Sequence, residues 1–166
     1  MKKLNKLIGI GMVIGIACLS LMACSEPAPY QVDDAKQPAL QLLDGKSIHL
    51  NDYRGKWVYI NYWASWCQPC VREIPLLNDI AKEYAGKVVV LAMNYDKPEK
   101  EALVDLVKQA NIHYASLLED PQPRLGIDEV EGLPTTVVIN PEGWVVKKFV
   151  GEQSKERFLN IMEKEG

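Results

Sequence analysis

Residues 63–75 have the sequence WASWCQPCVREIP, in which two residues separate Cys67 from Cys70. The preceding segment, Trp57–Trp63 (WVYINYW), is rich in aromatic and β-branched residues, which predicts a buried β-strand. Apolar residues recur at helical spacing after the second cysteine, which predicts a helix from about residue 68 to about residue 86. We therefore expect the cysteine pair where a central strand passes into a helix.

The elements around this stretch predict an α/β fold. Val88–Met93 (VVVLAM) predicts a second buried strand, so that two parallel strands and the helix between them form a right-handed βαβ unit. The other expected elements are a hairpin at Leu40–Leu50, a helix at Glu99–Ala110, a strand at Tyr114–Leu117, a helical turn at Gln122–Gly126, strands at Thr135–Ile139 and Trp144–Val150, and a helix at Ser154–Lys164. This order of elements favours a central sheet flanked by helices.

The N-terminus has the pattern of an export signal. Three lysines in the first six residues precede an apolar run from Leu7 to Ala23, and no acidic residue occurs in this part of the chain. Residues 21–24 (LMAC) resemble the lipobox of bacterial lipoproteins, although Met22 stands where a small residue is more usual. The resemblance implies cleavage before Cys24 and lipidation of its sulfur. An uncleaved signal anchor is the alternative, and both place the domain outside the cytoplasm.

We therefore expect three regions: a lipoprotein signal peptide at 1–23, a lipidated tether at 24–37 and a folded domain at 38–166. Proline and polar residues in the second region are typical of a linker. Loss of the signal removes three lysines and leaves 16 basic and 22 acidic side chains, a balance of −6. This charge gives no reason to expect a nucleic acid partner or attraction to anionic lipid.

The number of cysteines restricts the chemistry of the domain. Four are encoded, but Cys18 leaves with the signal and Cys24 carries lipid, so only Cys67 and Cys70 remain as thiols. A secreted disulfide framework needs more pairs, and a structural bridge across so short a loop constrains little of the unfolded chain. A metal site lacks a second cysteine pair, and the two histidines stand far apart. We expect redox chemistry, with no metal and no other cofactor.

The predicted position of the pair suggests a division of roles. A helix N-terminus stabilises a thiolate, so the pKa of Cys67 should fall below its ordinary value and this residue should attack a partner disulfide. Cys70 lies one turn further along the same face and should resolve the mixed disulfide. Glu73, one turn beyond, either accepts the proton of Cys70 with a raised pKa or is a solvated surface acid paired with Arg72. The spacing alone favours neither interpretation.

The segment NYWASWCQPCVREIP, at residues 61–75, resembles the active site of the TlpA/ResA group of thioredoxin-like thiol-disulfide oxidoreductases. The likeness extends from Gln37 onward and includes DGK at 44–46, YRGK at 53–56, GLPTT at 132–136 and NPEG at 140–143. It implies a thioredoxin-like fold with a mixed sheet, an N-terminal β-hairpin, and an inserted helix and strand in Lys97–Asp120. It also implies a membrane-tethered enzyme that faces away from the cytoplasm.

The resemblance further implies roles for individual residues. Cys67 and Cys70 would form the redox disulfide, and Glu73 would occupy the position of the group's acid, which favours the proton relay. Asn61 replaces the buried acid of plain thioredoxin, so that proton acceptance passes to Glu73 or to water. Pro134 would be the cis-proline opposite the cysteines, beside which an extended substrate strand could pair with the backbone. The expected substrate-binding residues are Trp66, Gln68, Pro69, Leu133 and Pro134.

Three functions are compatible with these observations. The first is disulfide exchange on extracytoplasmic proteins, and the resemblance suggests cytochrome c maturation as the task. We expect the protein to be a monomer that a membrane thiol-disulfide donor reduces. Because Gln68 and Pro69 carry no charge, we expect a reductase. The second is a thiol peroxidase, although the residues before Cys67 do not match the Pro-x-x-x-Thr/Ser-x-x-Cys pattern. The third is a non-enzymatic tethered module for binding or metal delivery.

Overall fold

The computed structural model describes residues 30–164. The expected signal peptide and the expected lipidation site at Cys24 lie outside these residues. The strands are β1 (Tyr30–Gln31), β2 (Leu40–Gln41), β3 (Ser47–Ile48), β4 (Trp57–Trp63), β5 (Val88–Asn94), β6 (Ala115–Leu117), β7 (Thr135–Ile139) and β8 (Trp144–Val150). The α-helices are α1 (Gln68–Glu83), α2 (Lys100–Gln109) and α3 (Lys155–Lys164). Two 3₁₀ helices, Leu50–Tyr53 and Gln122–Arg124, complete the described elements.

Six strands form one mixed sheet in the order β1-β8-β7-β4-β5-β6, and β2 and β3 form a separate hairpin. Strands β4, β5 and β6 run parallel to one another, whereas β7 is antiparallel to β4 and β8 is antiparallel to β7. The predicted βαβ unit and mixed sheet are therefore confirmed. The carboxyl ends of β4 and β5 meet at one edge of the sheet, because Trp63 pairs with Asn94 in the parallel register.

The core has one layer on each face of the sheet, and β4 contributes to both. All seven residues of β4 are buried. Tyr59 and Trp63 pack against α1 and α3, whereas Ile60 and Tyr62 face the N-terminal hairpin. A fully buried side chain of this size contributes about 1.5–3 kcal/mol to folding, so the position of β4 is strongly determined. The segment that follows Trp63 is therefore anchored to the core at its first residue.

The hairpin and α1 are shorter than predicted. Strand β3 ends at Ile48, because the Asp52 carboxylate accepts the N–H of His49 at 2.7 Å and starts the 3₁₀ helix Leu50–Tyr53. Helix α1 ends at Glu83, before the expected end near residue 86. There the carbonyl of Tyr84 accepts the N–H groups of Lys87 and Val88 and turns the chain into β5.

The sheet includes residues that precede the expected domain boundary at residue 38. Tyr30 and Gln31 pair with Val145 and Trp144 at the edge of β8. Val32 is 1% exposed, and its N–H donates to the carbonyl of Gly143. Proline and polar residues suggested a linker here, but the backbone of this segment pairs with a strand more than 100 residues away.

Asp34 fixes this N-terminal segment to two other parts of the domain. Its carboxylate is fully buried and accepts the N–H of Leu50 at 2.7 Å and the N–H of Asn51 at 3.2 Å. The guanidinium of Arg124 lies 3.7 Å from the same carboxylate. A single acidic side chain thus joins residues 30–37, the first 3₁₀ helix and the second 3₁₀ helix.

Between Tyr30 and Lys164, no helix is both long and apolar enough to cross a lipid bilayer.

Candidate active site

Cys67 and Cys70 form a disulfide where β4 passes into α1. Cys67 is the N-cap of α1, and its sulfur accepts the N–H of Cys70 at 3.2 Å. This contact satisfies one of the N–H groups that a helix leaves free at its start. Pro69 stands in the first turn, where its missing N–H costs no hydrogen bond. The sequence of the loop therefore favours both the helix start and the orientation of the Cys67 sulfur toward it.

The two sulfurs differ in access, since Cys67 is 5% exposed and Cys70 is 1% exposed. A groove of about 440 Å³ lies beside Cys67. Its lining residues are Trp66, Cys67, Gln68, Pro69, Tyr95, Glu131, Gly132 and Leu133. A partner disulfide can therefore approach Cys67, whereas Cys70 lies behind it.

Four of the five expected substrate-binding residues line this groove. Trp66 is 62% exposed, and its indole Nε1 donates to the Asp96 carboxylate at 2.9 Å, which holds the ring at the rim. Pro134 does not line the groove: it is buried behind Leu133, to which a cis peptide bond joins it. The structure thus brings the Leu133–Pro134 segment to the cysteines, but Leu133 supplies the accessible surface.

Tyr95 and Glu131 also line the groove, although the sequence did not predict them there. Tyr95 directly follows β5, and its N–H donates to the carbonyl of Trp63 at the end of β4. Parallel strands place their carboxyl ends at one edge of a sheet, so this position could have been found from the predicted βαβ unit. Glu131 carries no comparable signal, because its loop reaches the groove only through the long-range pairing of β7 with β4.

Glu73 is buried, with 2% of its surface exposed, although it lies on the first turns of a surface helix. One carboxylate oxygen accepts the N–H of Gln153 at 2.8 Å, and the other accepts the Asn61 side-chain amide at 3.2 Å. Arg72 forms its ion pair with Glu152 at 2.6 Å instead. The interpretation of Glu73 as a solvated surface acid paired with Arg72 is therefore wrong.

Burial raises the pKa of Glu73 from 4.5 to about 7, and the nearby charge of Glu152 acts in the same direction. The N–H of Gln153 and the amide of Asn61 oppose this rise, because both donate to the charged form. A carboxyl group with a pKa near neutrality can both accept and return a proton at physiological pH. Within residues 30–164, no group of three or more His, Cys, Asp or Glu side chains is arranged to hold a metal ion.

This chain is similar to known redox enzymes. The model of the AhpC/TSA family matches residues 32–148. The thiol-disulfide oxidoreductase ResA of a Bacillus cereus strain is 36% identical over 123 residues, which cover 74% of this chain and 70% of the relative. ResA of Bacillus subtilis strain 168 is 33% identical over 130 residues, which cover 78% of this chain and 72% of the relative.

Solved structures show the same fold. A putative thiol:disulfide interchange protein DsbE from Chlorobium tepidum superimposes with a TM-score of 0.63 at 31% identity, covering 82% of this chain and 99% of that one. The pneumococcal exposed lipoprotein thioredoxin Etrx1, from Streptococcus pneumoniae strain TIGR4, gives a TM-score of 0.64 at 29% identity, with coverage of 82% and 99%. The predicted thioredoxin-like fold is thus confirmed.

Proposed function

Since this chain belongs to the AhpC/TSA family and is a thioredoxin-like thiol-disulfide oxidoreductase of the ResA type, we propose that it reduces disulfides of proteins outside the cytoplasm. The observation that carries the proposal is the Cys67–Cys70 disulfide at the start of α1, which borders a groove and has a buried acid, Glu73, one turn beyond Cys70 on the same helix. Protein thiols and disulfides are the substrates. Apocytochromes c, whose haem-binding cysteines must be reduced, are the client class that the TlpA/ResA resemblance supports.

In the proposed reaction, the thiolate of reduced Cys67 attacks one sulfur of a client disulfide. A mixed disulfide forms, and the other client sulfur leaves as a thiolate. Cys70 loses its proton to Glu73 and attacks the sulfur of Cys67, which releases the second client thiolate. Two electrons have then passed from the enzyme to the client, and the enzyme holds the Cys67–Cys70 disulfide. A membrane thiol-disulfide donor returns the enzyme to its dithiol state.

The proposed location is the outer face of a membrane, to which lipid on Cys24 anchors a monomeric domain. The LMAC pattern at residues 21–24 supports the anchor, and the pneumococcal relative of known structure is itself described as an exposed lipoprotein. The groove beside Cys67 would then accept clients that are exported across the same membrane.

A reductase requires a low reduction potential. Because Gln68 and Pro69 place no charge between the cysteines, we expect a value nearer the ~−270 mV of thioredoxin than the ~−120 mV of a strong oxidant. Equilibration in dithiothreitol redox buffers, followed by alkylation and mass measurement, gives the potential. The control is Pro69→His, which places a cation beside the Cys67 thiolate and should raise the potential. A value near the ~−120 mV of a strong oxidant for the unaltered protein would contradict the reductase role.

Glu73→Gln tests the proton relay. In the unaltered protein, the rate at which Cys70 resolves a mixed disulfide between Cys67 and glutathione should rise as the pH passes through about 7, because ionised Glu73 accepts the proton. In the variant this rise should disappear, and the rate at neutral pH should fall by roughly 100-fold, as expected for loss of a general base. Stopped-flow measurement of glutathione release from acidic to alkaline pH gives both profiles.

Glu152→Gln is the matched control for this experiment. The charge of Glu152 raises the pKa of Glu73, so its removal should move the inflection to lower pH while the rate above the inflection is retained. An unchanged profile in Glu73→Gln would remove this carboxyl group from the mechanism.

A further inference from the structure

A chain of buried polar groups leads from Glu73 across the sheet to the inserted segment. Asn61, at 1% exposure, lies on β4, the strand that leads into the disulfide segment. Its amide nitrogen donates to Glu73 and to the hydroxyl of Thr136, both at 3.2 Å. Its amide oxygen accepts the hydroxyl of Tyr114 at 3.4 Å. Tyr114 directly precedes β6 and belongs to residues 97–120, the segment that the TlpA/ResA resemblance implies is an insertion.

The orientation of the Asn61 amide determines how it acts on Glu73. An amide has two N–H donors and one oxygen acceptor, and in the observed orientation all three groups face a partner. Rotation by about 180° would place the amide oxygen against the carboxylate, where two acceptors repel. Burial raises the pKa of Tyr114 well above its ordinary value, so its hydroxyl remains protonated and donates. The tyrosine thus favours the orientation in which the nitrogen faces Glu73.

We propose that Asn61 is a positioning residue for Glu73, and that Tyr114 of the inserted segment fixes the Asn61 amide in the donating orientation. The inserted segment would then take part in proton transfer at the cysteines through Asn61 and Glu73. This inference rests on the proposed role of Glu73 as the proton acceptor of Cys70.

The charged groups around Glu73 come from several elements. Glu152, in the loop after β8, raises the pKa of Glu73, while Arg72 on α1 is engaged in the ion pair with Glu152. The disulfide and the hydroxyl of Tyr114 are neutral. The N–H of Gln153 and the amide of Asn61 are the two groups that lower this pKa. Of these two, only the Asn61 amide is a side chain, so it can be changed without altering the backbone.

The test is a direct pH titration of the Glu73 carboxyl carbon by NMR in the oxidised protein. Asn61→Ala should raise the pKa of Glu73 by about one unit, because a hydrogen bond to a charged group is lost. Tyr114→Phe keeps the aromatic ring and should raise the same pKa by roughly half a unit through disorder of the amide. Tyr114→Phe should add nothing in the Asn61→Ala background, because it acts only through the amide.

Tyr59→Phe is the matched control, because Tyr59 lies on the same strand and the same face as Asn61. This variant also removes a buried hydroxyl, but that hydroxyl donates to the Phe158 carbonyl at 2.7 Å. It should leave the Glu73 titration unchanged. If Asn61→Ala does not fold, Tyr114→Phe alone decides, and no shift in that variant overturns the proposal. Additive shifts in the double variant also overturn it. The titration uses oxidised protein and does not measure disulfide exchange. It can therefore contradict the positioning role of Asn61 while the Glu73→Gln experiment supports the proton relay, and the reverse is also possible.

Discussion

Cys67→Ser should reduce disulfide exchange to the uncatalysed background, a loss of roughly a thousandfold or more. Serine is nearly isosteric, but its hydroxyl is not ionised at neutral pH and cannot attack a disulfide. The nearby Cys70 cannot replace it, because Cys70 is 1% exposed and lies behind the groove. The measurement is the rate at which the protein, in the presence of dithiothreitol, reduces a disulfide-bonded peptide.

Cys70→Ser is the matched control, because it removes the second thiol and leaves the nucleophile in place. Attack by Cys67 should then proceed, and the mixed disulfide should accumulate with one client molecule per chain. Mass spectrometry of chains trapped in this way identifies the natural clients and tests the proposed role in cytochrome c maturation. Equal exchange rates for Cys67→Ser and the unaltered protein would refute the mechanism.

Asp34→Ala should have the largest effect on stability. The variant leaves the N–H groups of Leu50 and Asn51 without their buried acceptor and removes the carboxylate 3.7 Å from Arg124. Loss of one partner of a buried ion pair costs about 3–5 kcal/mol, so we expect the free energy of unfolding to fall by about that amount. Urea denaturation of the oxidised protein at neutral pH, with linear extrapolation to water, provides the value.

Asp33→Ala is the control for this substitution. Asp33 is exposed, and its only side-chain hydrogen bond within residues 30–164 is with the Asn51 amide at 3.4 Å, so the change should be within about 0.5 kcal/mol. If the two variants had similar stability, Asp34 would not be the residue that holds the N-terminal segment.

Most elements of the fold were predictable because their signals are local. Strand β4 is marked by aromatic or β-branched residues at six of its seven positions, and the start of α1 by Cys67 and Pro69 in cap and first-turn positions. Such patterns depend on neighbours within one turn or one strand, which a single sequence contains. The TlpA/ResA resemblance then supplied the topology beyond the βαβ unit.

The groove, the burial of Glu73 and the pairing of the N-terminal residues with the sheet depend on contacts between distant residues. The carboxylate of Glu73 is bound by the backbone of Gln153, which lies 80 residues further along the chain. Tyr30 belongs to the sheet because it pairs with Val145. The sequence by itself determined which residues carry the sulfur chemistry and which strand and helix hold them. Only the tertiary structure decided that Glu73 is withdrawn from water, because desolvation depends on everything that packs around a group and not on its neighbours in the chain.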